Sequence, residues 1–223
     1  MTVRVLSLLA GARAARGIAV VIDVFRASST IVAAFGAGAR LIIPVGDLEE
    51  AYALKRRNPD FLLFGERGGL PPEGFDSGNS PAIVSALDLR GKTVILTTSA
   101  GSQGLVSARH ADEILVGCFA NARAVAACIA AKRPAEVSIV AMGVAAAREA
   151  LEDETCARYI RALLLGEPFD LDAAIRAIRC DPEATKFLDP ASPAYSPGDV
   201  DFCLNADAHS VVPRYVENKG IIV

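Results

Sequence analysis

Histidine is almost absent from this chain. Only His110 and His209 are present, too few for a His-based zinc site or for phosphohistidine chemistry. His110 follows Arg109 at the end of a helical pattern, where a C-terminal capping role accounts for it. The five cysteines (Cys118, Cys128, Cys156, Cys180, Cys203) are odd in number and none makes a CxxC pair. That argues against a disulfide framework and for a reduced, cytoplasmic protein. Cys118 and Cys156 each have an arginine five residues on (Arg123, Arg161), one short of the spacing of a cysteine phosphatase loop. A DxD pair is missing too, because Phe25 stands two residues after Asp23. There is no GxxxxGK[ST], GxGxxG, GxSxG or HExxH. No apolar run approaches the roughly 18–20 residues of a membrane helix. The start, MTVRVLSLLAGARAARG, is apolar then basic, the reverse of a secretory signal, and reads as a strand followed by a loop. Excess positive charge is lacking as well. Lys+Arg 23 against Asp+Glu 26 gives −3 and a pI of about 5.5, which offers nucleic acid or an anionic membrane little to bind.

What is present is a large apolar fraction, 52% of 223 residues, enough for a sizeable core. Short β-rich runs recur at Val3–Leu6, Ile18–Val24, Arg40–Val45, Phe61–Phe64, Thr93–Thr97, Glu113–Val116 and Val137–Met142. Helical patterns separate or follow them: Ser28–Phe35, Leu48–Arg57, Ser80–Ala86, Ser102–Arg109, Ala120–Lys132, Ala147–Leu165 and Leu171–Cys180. Strands apolar on both faces that alternate with helices indicate an α/β fold with a mostly parallel sheet. One domain over residues 1–223 is expected, its last third helical and then irregular. Gly220–Val223 reads as a final edge strand. The loops Gly65–Asn79 and Asp189–Asp199 are rich in Gly and Pro, and the first, at 15 residues, is long enough to suggest function.

Four stretches carry candidate chemistry. In VVIDVFRASST (Val20–Thr30) a buried strand ends on Asp23 and runs through Arg26 into Ser28, Ser29 and Thr30. Ligands of open α/β sheets sit beyond strand carboxyl ends, and helix starts favour anions. Arg26 could grip a phosphate or sulfonate; capping of the helix by Asp23 and Ser28 is the alternative. GERGGLPPEGFDSGNSP (Gly65–Pro81) puts Glu66 and Arg67 after a second strand, then Asp76 and Asn79 before Ser80-Pro81. LTTSAGSQG (Leu96–Gly104) puts Thr98, Ser99 and Ser102 at a strand-to-helix turn, which suits an oxyanion or ordinary capping. LEDETC (Leu151–Cys156) places Glu152, Asp153 and Glu154 in one helical pattern, so they cannot all face one site; one, Asp153 or Glu152, could face a cation, and a solvated helix start with dipole-favourable acids is the reading this segment alone favours. Without a Cys or His nucleophile, metal-activated water is the natural route for phosphoryl transfer.

These stretches, in this order and at about these spacings, resemble the 2-phosphosulfolactate phosphatase (ComB) family from roughly Val3 to Lys219. The resemblance implies a three-layer α/β/α fold and Mg2+-dependent hydrolysis of (R)-2-phospho-3-sulfolactate to 3-sulfolactate and phosphate, a step toward coenzyme M. Many members carry Asn-Gly where this chain has Ala100-Gly101, a departure that bears on specificity if that Asn touches substrate.

The resulting expectations are concrete. Asp23, Glu66 and Asp153 are the metal ligands for Mg2+. Asp23, Asp76 and Arg26 are catalytic, with Asp76 as base or acid. Arg67, Ser28, Ser29, Thr98, Ser99 and Ser102 hold the substrate. A phosphorylated Asp23 is the mechanistic alternative to activated water. The partner is a small-molecule phosphoester, with neither nucleic acid nor membrane, and a homodimer is left open. Two rivals stand beside this reading: a phosphatase for another small anionic phosphoester, and a non-catalytic anion-binding module.

Overall fold

The computed structural model describes residues 1–189, 191, 192 and 194–223; Pro190 and Pro193, in the second expected loop, lie outside the described residues. In chain order the elements are β1 (Thr2–Ser7), α1 (Leu8–Ala14), β2 (Ile18–Ile22), α2 (Ala27–Gly36), β3 (Leu41–Pro44), α3 (Leu48–Arg57), β4 (Leu62–Gly65), α4 (Pro81–Ser85), β5 (Thr93–Thr97), α5 (Gly101–Ser107) and β6 (Glu113–Gly117). They continue as α6 (Ala122–Lys132), β7 (Glu136–Ala141), α7 (Leu151–Leu165), α8 (Leu171–Arg179), α9 (Pro182–Thr185), α10 (Pro197–Leu204), β8 (Arg214–Val216) and β9 (Gly220–Ile222). A 3-10 turn, Lys186–Leu188, follows α9.

The strands form one nine-stranded sheet in the order β1-β7-β2-β6-β8-β9-β3-β5-β4. β1, β7, β2 and β6 pair in parallel, as do β3, β5 and β4. Both faces are covered, as the apolar runs require. Ile18, Val20 and Ile22 of β2 enter one core with α6 and α7, while Ala19 and Val21 enter another with α1, α2 and α5. A smaller core under α3 joins Val45, Ala51, Leu63 and Ile95. The expected α/β class with a mostly parallel central sheet flanked by helices is therefore the one found. No helix among the described residues is long and apolar enough to cross a membrane.

Three expectations need correction. Gly220–Val223 does not make an edge strand. β8 and β9 form an antiparallel hairpin set in the middle of the sheet, joining β6 to β3. Gly220 permits it: its φ is +99°, and a Cβ there would lie 2.5 Å from the Ile42 carbonyl oxygen of β3, a position only glycine tolerates. The expected loop after β1 is instead helix α1, whose Gly11 packs so closely that a Cβ would lie 2.9 Å from Leu6 Cβ. The helix expected from Ala147 begins at Leu151. Before it, Ala145 and Ala146 take left-handed backbone (φ 52° and 57°), and Val144 bridges to Arg148. This turn keeps the α7 start at the carboxyl end of β7.

Local signals explain the remaining elements. Asp47 caps α3 by accepting from the Glu50 amide, with Glu49 and Glu50 in the first turn and Lys55, Arg56 and Arg57 in the last, complementing the helix dipole. Ser80 caps α4, with Pro81 at its first position.

Candidate active site

A cavity of about 180 Å³ opens at the carboxyl ends of β2, β4, β5 and β7, where ligands of parallel sheets bind. Its lining joins Asp23, Arg26, Glu66, Asn79, Thr98 and Ser99 to Glu152 and Asp153. Residues from all four sequence stretches therefore meet in one place. A wider cleft of about 620 Å³ lies elsewhere, against Arg109, Glu113, Lys132 and Arg214. In it Lys132 lies 2.5 Å and Arg214 3.8 Å from the Glu113 carboxylate, and none of its acids is a buried carboxylate at a strand end.

Three acids of the small cavity, Asp23, Asp153 and Glu66, are held by backbone amides. Asp23 accepts from the Ala27 amide through Oδ1 at 3.2 Å, so it caps α2 while facing the cavity. Asp153 accepts from Val24 N at 2.7 Å and from Gly143 N at 2.8 Å. That ties the α7 start to the ends of β2 and β7. Glu66 accepts from Ser99 N at 2.8 Å and Gly69 N at 2.9 Å, which joins the β4 and β5 ends. Gly101 lets α5 close on this cluster. A Cβ there would stand 2.5 Å from Ala27 Cβ and 2.9 Å from Asp23 Oδ2.

Crowding of buried carboxylates disfavours their ionised forms. Burial, with the charge of Glu66 adding to it, pushes the Asp23 carboxyl up to about 6 despite the Ala27 amide. Burial, then Glu183 and Asp23, pushes Glu152 up to about 7. Asp153 is raised well above the usual aspartate range by burial, then by Asp23 and Glu152. Two polar atoms of this lining, Glu152 Oε2 and Asn79 Oδ1, are buried and have no hydrogen-bond partner among the described residues. Such atoms in a native fold call for a ligand, ion or water. The cluster is thus rich in hard oxygen donors and short of positive charge, which suits a divalent cation. Among the described residues, no three His, Cys, Asp or Glu side chains already form a metal cage. Mg2+ does not need one, since it commonly takes one or two carboxylates and completes its shell with water and substrate phosphate.

Arg26 lines the cavity, but its charge is already matched. Nη1 donates to Asp199 Oδ2 at 2.9 Å and to the Ala194 carbonyl at 3.1 Å, and Nη2 donates to the Gly69 carbonyl at 3.2 Å. Its guanidinium also lies 5.4 Å from the ring centre of Phe187 and 5.2 Å from that of Tyr195, within cation–π range. Asp199, fully buried, also accepts from Ser80 Oγ at 2.5 Å and Ala82 N at 3.2 Å.

Several expected site residues sit elsewhere. Asp76 does not line the cavity. It accepts from Leu63 N at 2.8 Å and pairs with Lys55 at 3.5 Å, bracing the loop onto β4. Arg67 turns away to the Glu66 and Gly46 carbonyls and to Thr97 Oγ1. Ser28 Oγ accepts from Asp23 N, and Ser29 Oγ donates to the Val24 carbonyl, so both hydroxyls close the β2–α2 turn. Ser102 Oγ lies 3.2 Å from Thr98 Oγ1, behind the lining. Small hydroxyls at a tight strand-to-helix turn satisfy nearby backbone first. Of the acids on α7, Glu154 leaves the site and accepts from Ser7 Oγ at 2.7 Å.

Residues not picked out in the sequence complete the wall: Glu183, Lys186, Phe187 and Tyr195. Burial opposes ionisation of Glu183, but hydrogen bonds from Lys186 and Arg148 prevail and hold its carboxyl below the ordinary glutamate range.

The model of the family described as 2-phosphosulpholactate phosphatase matches residues 6–218. The chain belongs to this family, whose description names a phosphatase. Its relatives include proteins named "Probable 2-phosphosulfolactate phosphatase" in three organisms. The one from Caldicellulosiruptor saccharolyticus is 44% identical over 63% of this chain, and the match spans only 60% of that relative's own length. The Thermotoga petrophila protein is 36% identical over 92% of this chain and 91% of its own. The Pseudothermotoga lettingae protein is 34% identical over 92% of each. The family match encloses all four strand-end stretches and the C-terminal wall of the cavity.

Proposed function

We propose that this chain is a Mg2+-dependent phosphatase that hydrolyses (R)-2-phospho-3-sulfolactate to 3-sulfolactate and phosphate. The observation that carries the reading is the convergence of Asp23, Glu66, Glu152 and Asp153 in one cavity of a chain matched by the family model over residues 6–218. Asp23, Glu66 and Asp153 would hold the cation. When bound, Mg2+ neutralises phosphoryl charge and lowers the pKa of water. The protein residues supply position and proton handling. Backbone amides fix all three carboxylates, so they need little reorganisation to meet a developing charge. Thr98 and Ser99, at the β5 end, offer hydroxyls to phosphoryl oxygens. Glu152 takes the acid–base role first given to Asp76. Burial raises its carboxyl above the ordinary glutamate range, and its unpartnered Oε2 is the group placed to give a proton to the leaving alkoxide oxygen. Arg26 orients the wall, locked by Asp199.

The test is phosphate release from 2-phospho-3-sulfolactate by the purified chain, with Mg2+ or with EDTA, beside 2-phospholactate and phosphoglycolate. Release that needs Mg2+ and favours the sulfonated ester is expected. Release from none of the esters would overturn the reading and leave an anion-binding module.

A further inference from the structure

The cavity has two electrostatic ends. Its floor is acidic and buried: Asp23, Glu66, Glu152 and Asp153 are all under 9% exposed. Its outer wall carries Lys186, whose side chain is 34% exposed. The two cations of the lining differ. Arg26 is paired to a carboxylate, Asp199, that has no solvent exposure, so little of its charge is left for a ligand. Lys186 shares a single carboxylate, Glu183, with a second cation, Arg148, which sits 2.6 Å from it. This trio therefore carries one surplus positive charge at the rim.

The rim is also shaped. Lys186 Nζ lies 5.2 Å from the Tyr195 ring centre and 5.8 Å from that of Phe187, the same two rings that flank Arg26. Asp181 caps α9 by accepting from the Glu183 amide at 2.8 Å, which fixes the segment that carries both residues. A phosphoester bound with its phosphoryl group over the acidic floor must direct its other end outward. In 2-phospho-3-sulfolactate that end bears a permanently charged sulfonate. The Glu183 carboxylate on Lys186 shows that Nζ already takes an anionic oxygen group of the kind a sulfonate presents.

We infer that Lys186 binds the sulfonate that stays on the product and is a specificity determinant of this cavity, with Glu183 as the internal carboxylate it exchanges for that group. The inference rests on the phosphatase reading given above. It makes Lys186 a binding residue that does not touch the reacting phosphorus.

The experiment compares the wild type with Lys186→Met and Lys186→Arg on two esters, 2-phospho-3-sulfolactate and 2-phospholactate, which keeps the carboxylate and lacks the sulfonate. A lost charge-assisted hydrogen bond corresponds to about tenfold or more in affinity. Lys186→Met should raise KM for the sulfonated ester by about that factor and leave KM for 2-phospholactate within about threefold of the wild type. Lys186→Arg should recover most of the loss. Glu183→Gln should lower KM for the sulfonated ester. An equal rise on both esters, or no rise on either, overturns the inference. Calorimetric titration of 3-sulfolactate into the same proteins gives a readout independent of turnover. If the wild type releases no phosphate from any ester, the phosphatase reading fails, and the titration still decides on Lys186. Weaker sulfolactate binding by Lys186→Met supports its role; equal binding, or none by the wild type, refutes it.

Discussion

Removing Asp199 should destabilise the whole C-terminal wall of the cavity. Asp199 is fully buried and accepts from Arg26, Ser80 and the Ala82 amide. Asp199→Ala strands a guanidinium that is only 5% exposed and deprives a helix cap and an amide of their shared acceptor. Breaking a buried pair by deleting one partner costs about 3–5 kcal/mol. Arg26 would keep its bonds to the Ala194 and Gly69 carbonyls and its contact with two rings, which places the expected cost near the lower end. At about 2–4 °C per kcal/mol for a domain of this size, the melting temperature should fall by roughly 6–12 °C. Thermal unfolding followed by circular dichroism, with urea titration as a check, measures it. The double variant Arg26→Met/Asp199→Leu should recover much of the loss, because apolar replacement of both partners leaves no uncompensated charge. A drop under about 3 °C for Asp199→Ala, or a double variant no better than the sum of the singles, would refute the reasoning.

Three other outcomes follow from the site. Gly101→Ala should cut activity by about tenfold or more, because its Cβ meets Ala27 Cβ and Asp23 Oδ2 and a small displacement of a reacting group is costly; kcat/KM with a parallel melting curve reads it. Asp76→Asn should keep most activity and lose about 1 kcal/mol of stability, since its carboxylate serves the Leu63 amide and a partly exposed lysine; loss of turnover without loss of stability would return Asp76 to the chemistry. The folded-state pKa values of Asp23 and Glu152, about 6 and 7, lie above their ordinary values, so the folded protein binds more protons than the unfolded chain across that interval. Stability without metal should therefore fall as pH rises from about 4 to 7, and added Mg2+ should raise the melting temperature more at pH 8 than at pH 5.

Much of this was legible in the chain because both sheet faces are buried. Runs such as Thr93–Thr97 and Glu113–Gly117 stand out by composition alone. The β8–β9 hairpin did not, because three-residue strands carry almost no pattern and their place between β6 and β3 is set by distant partners. The strand-end acids Asp23 and Glu66, and Asp153 at a helix start, could be picked out since polar residues ending apolar runs are conspicuous. The hydroxyls of Ser28 and Ser29 could not be assigned, because capping and anion binding use the same residues. Asp199 and Lys186 escaped notice for another reason. Asp199 matters through a contact across more than half the chain, with Arg26, and Lys186 through lining a cavity whose acids lie far away in sequence; no local spacing records either. Pro197 and Asp199 do carry a helix-start signal at α10, at the end of the Gly/Pro-rich loop Asp189–Asp199.

The most direct test of the account is a crystal structure of the chain with Mg2+ and 3-sulfolactate. The account predicts the ion at about 2.0–2.1 Å from a carboxylate oxygen of Asp23, Glu66 or Asp153, with the sulfonate turned toward Lys186. An ion coordinated by none of these acids, or sulfolactate bound in the cleft beside Arg109 and Arg214, would contradict it.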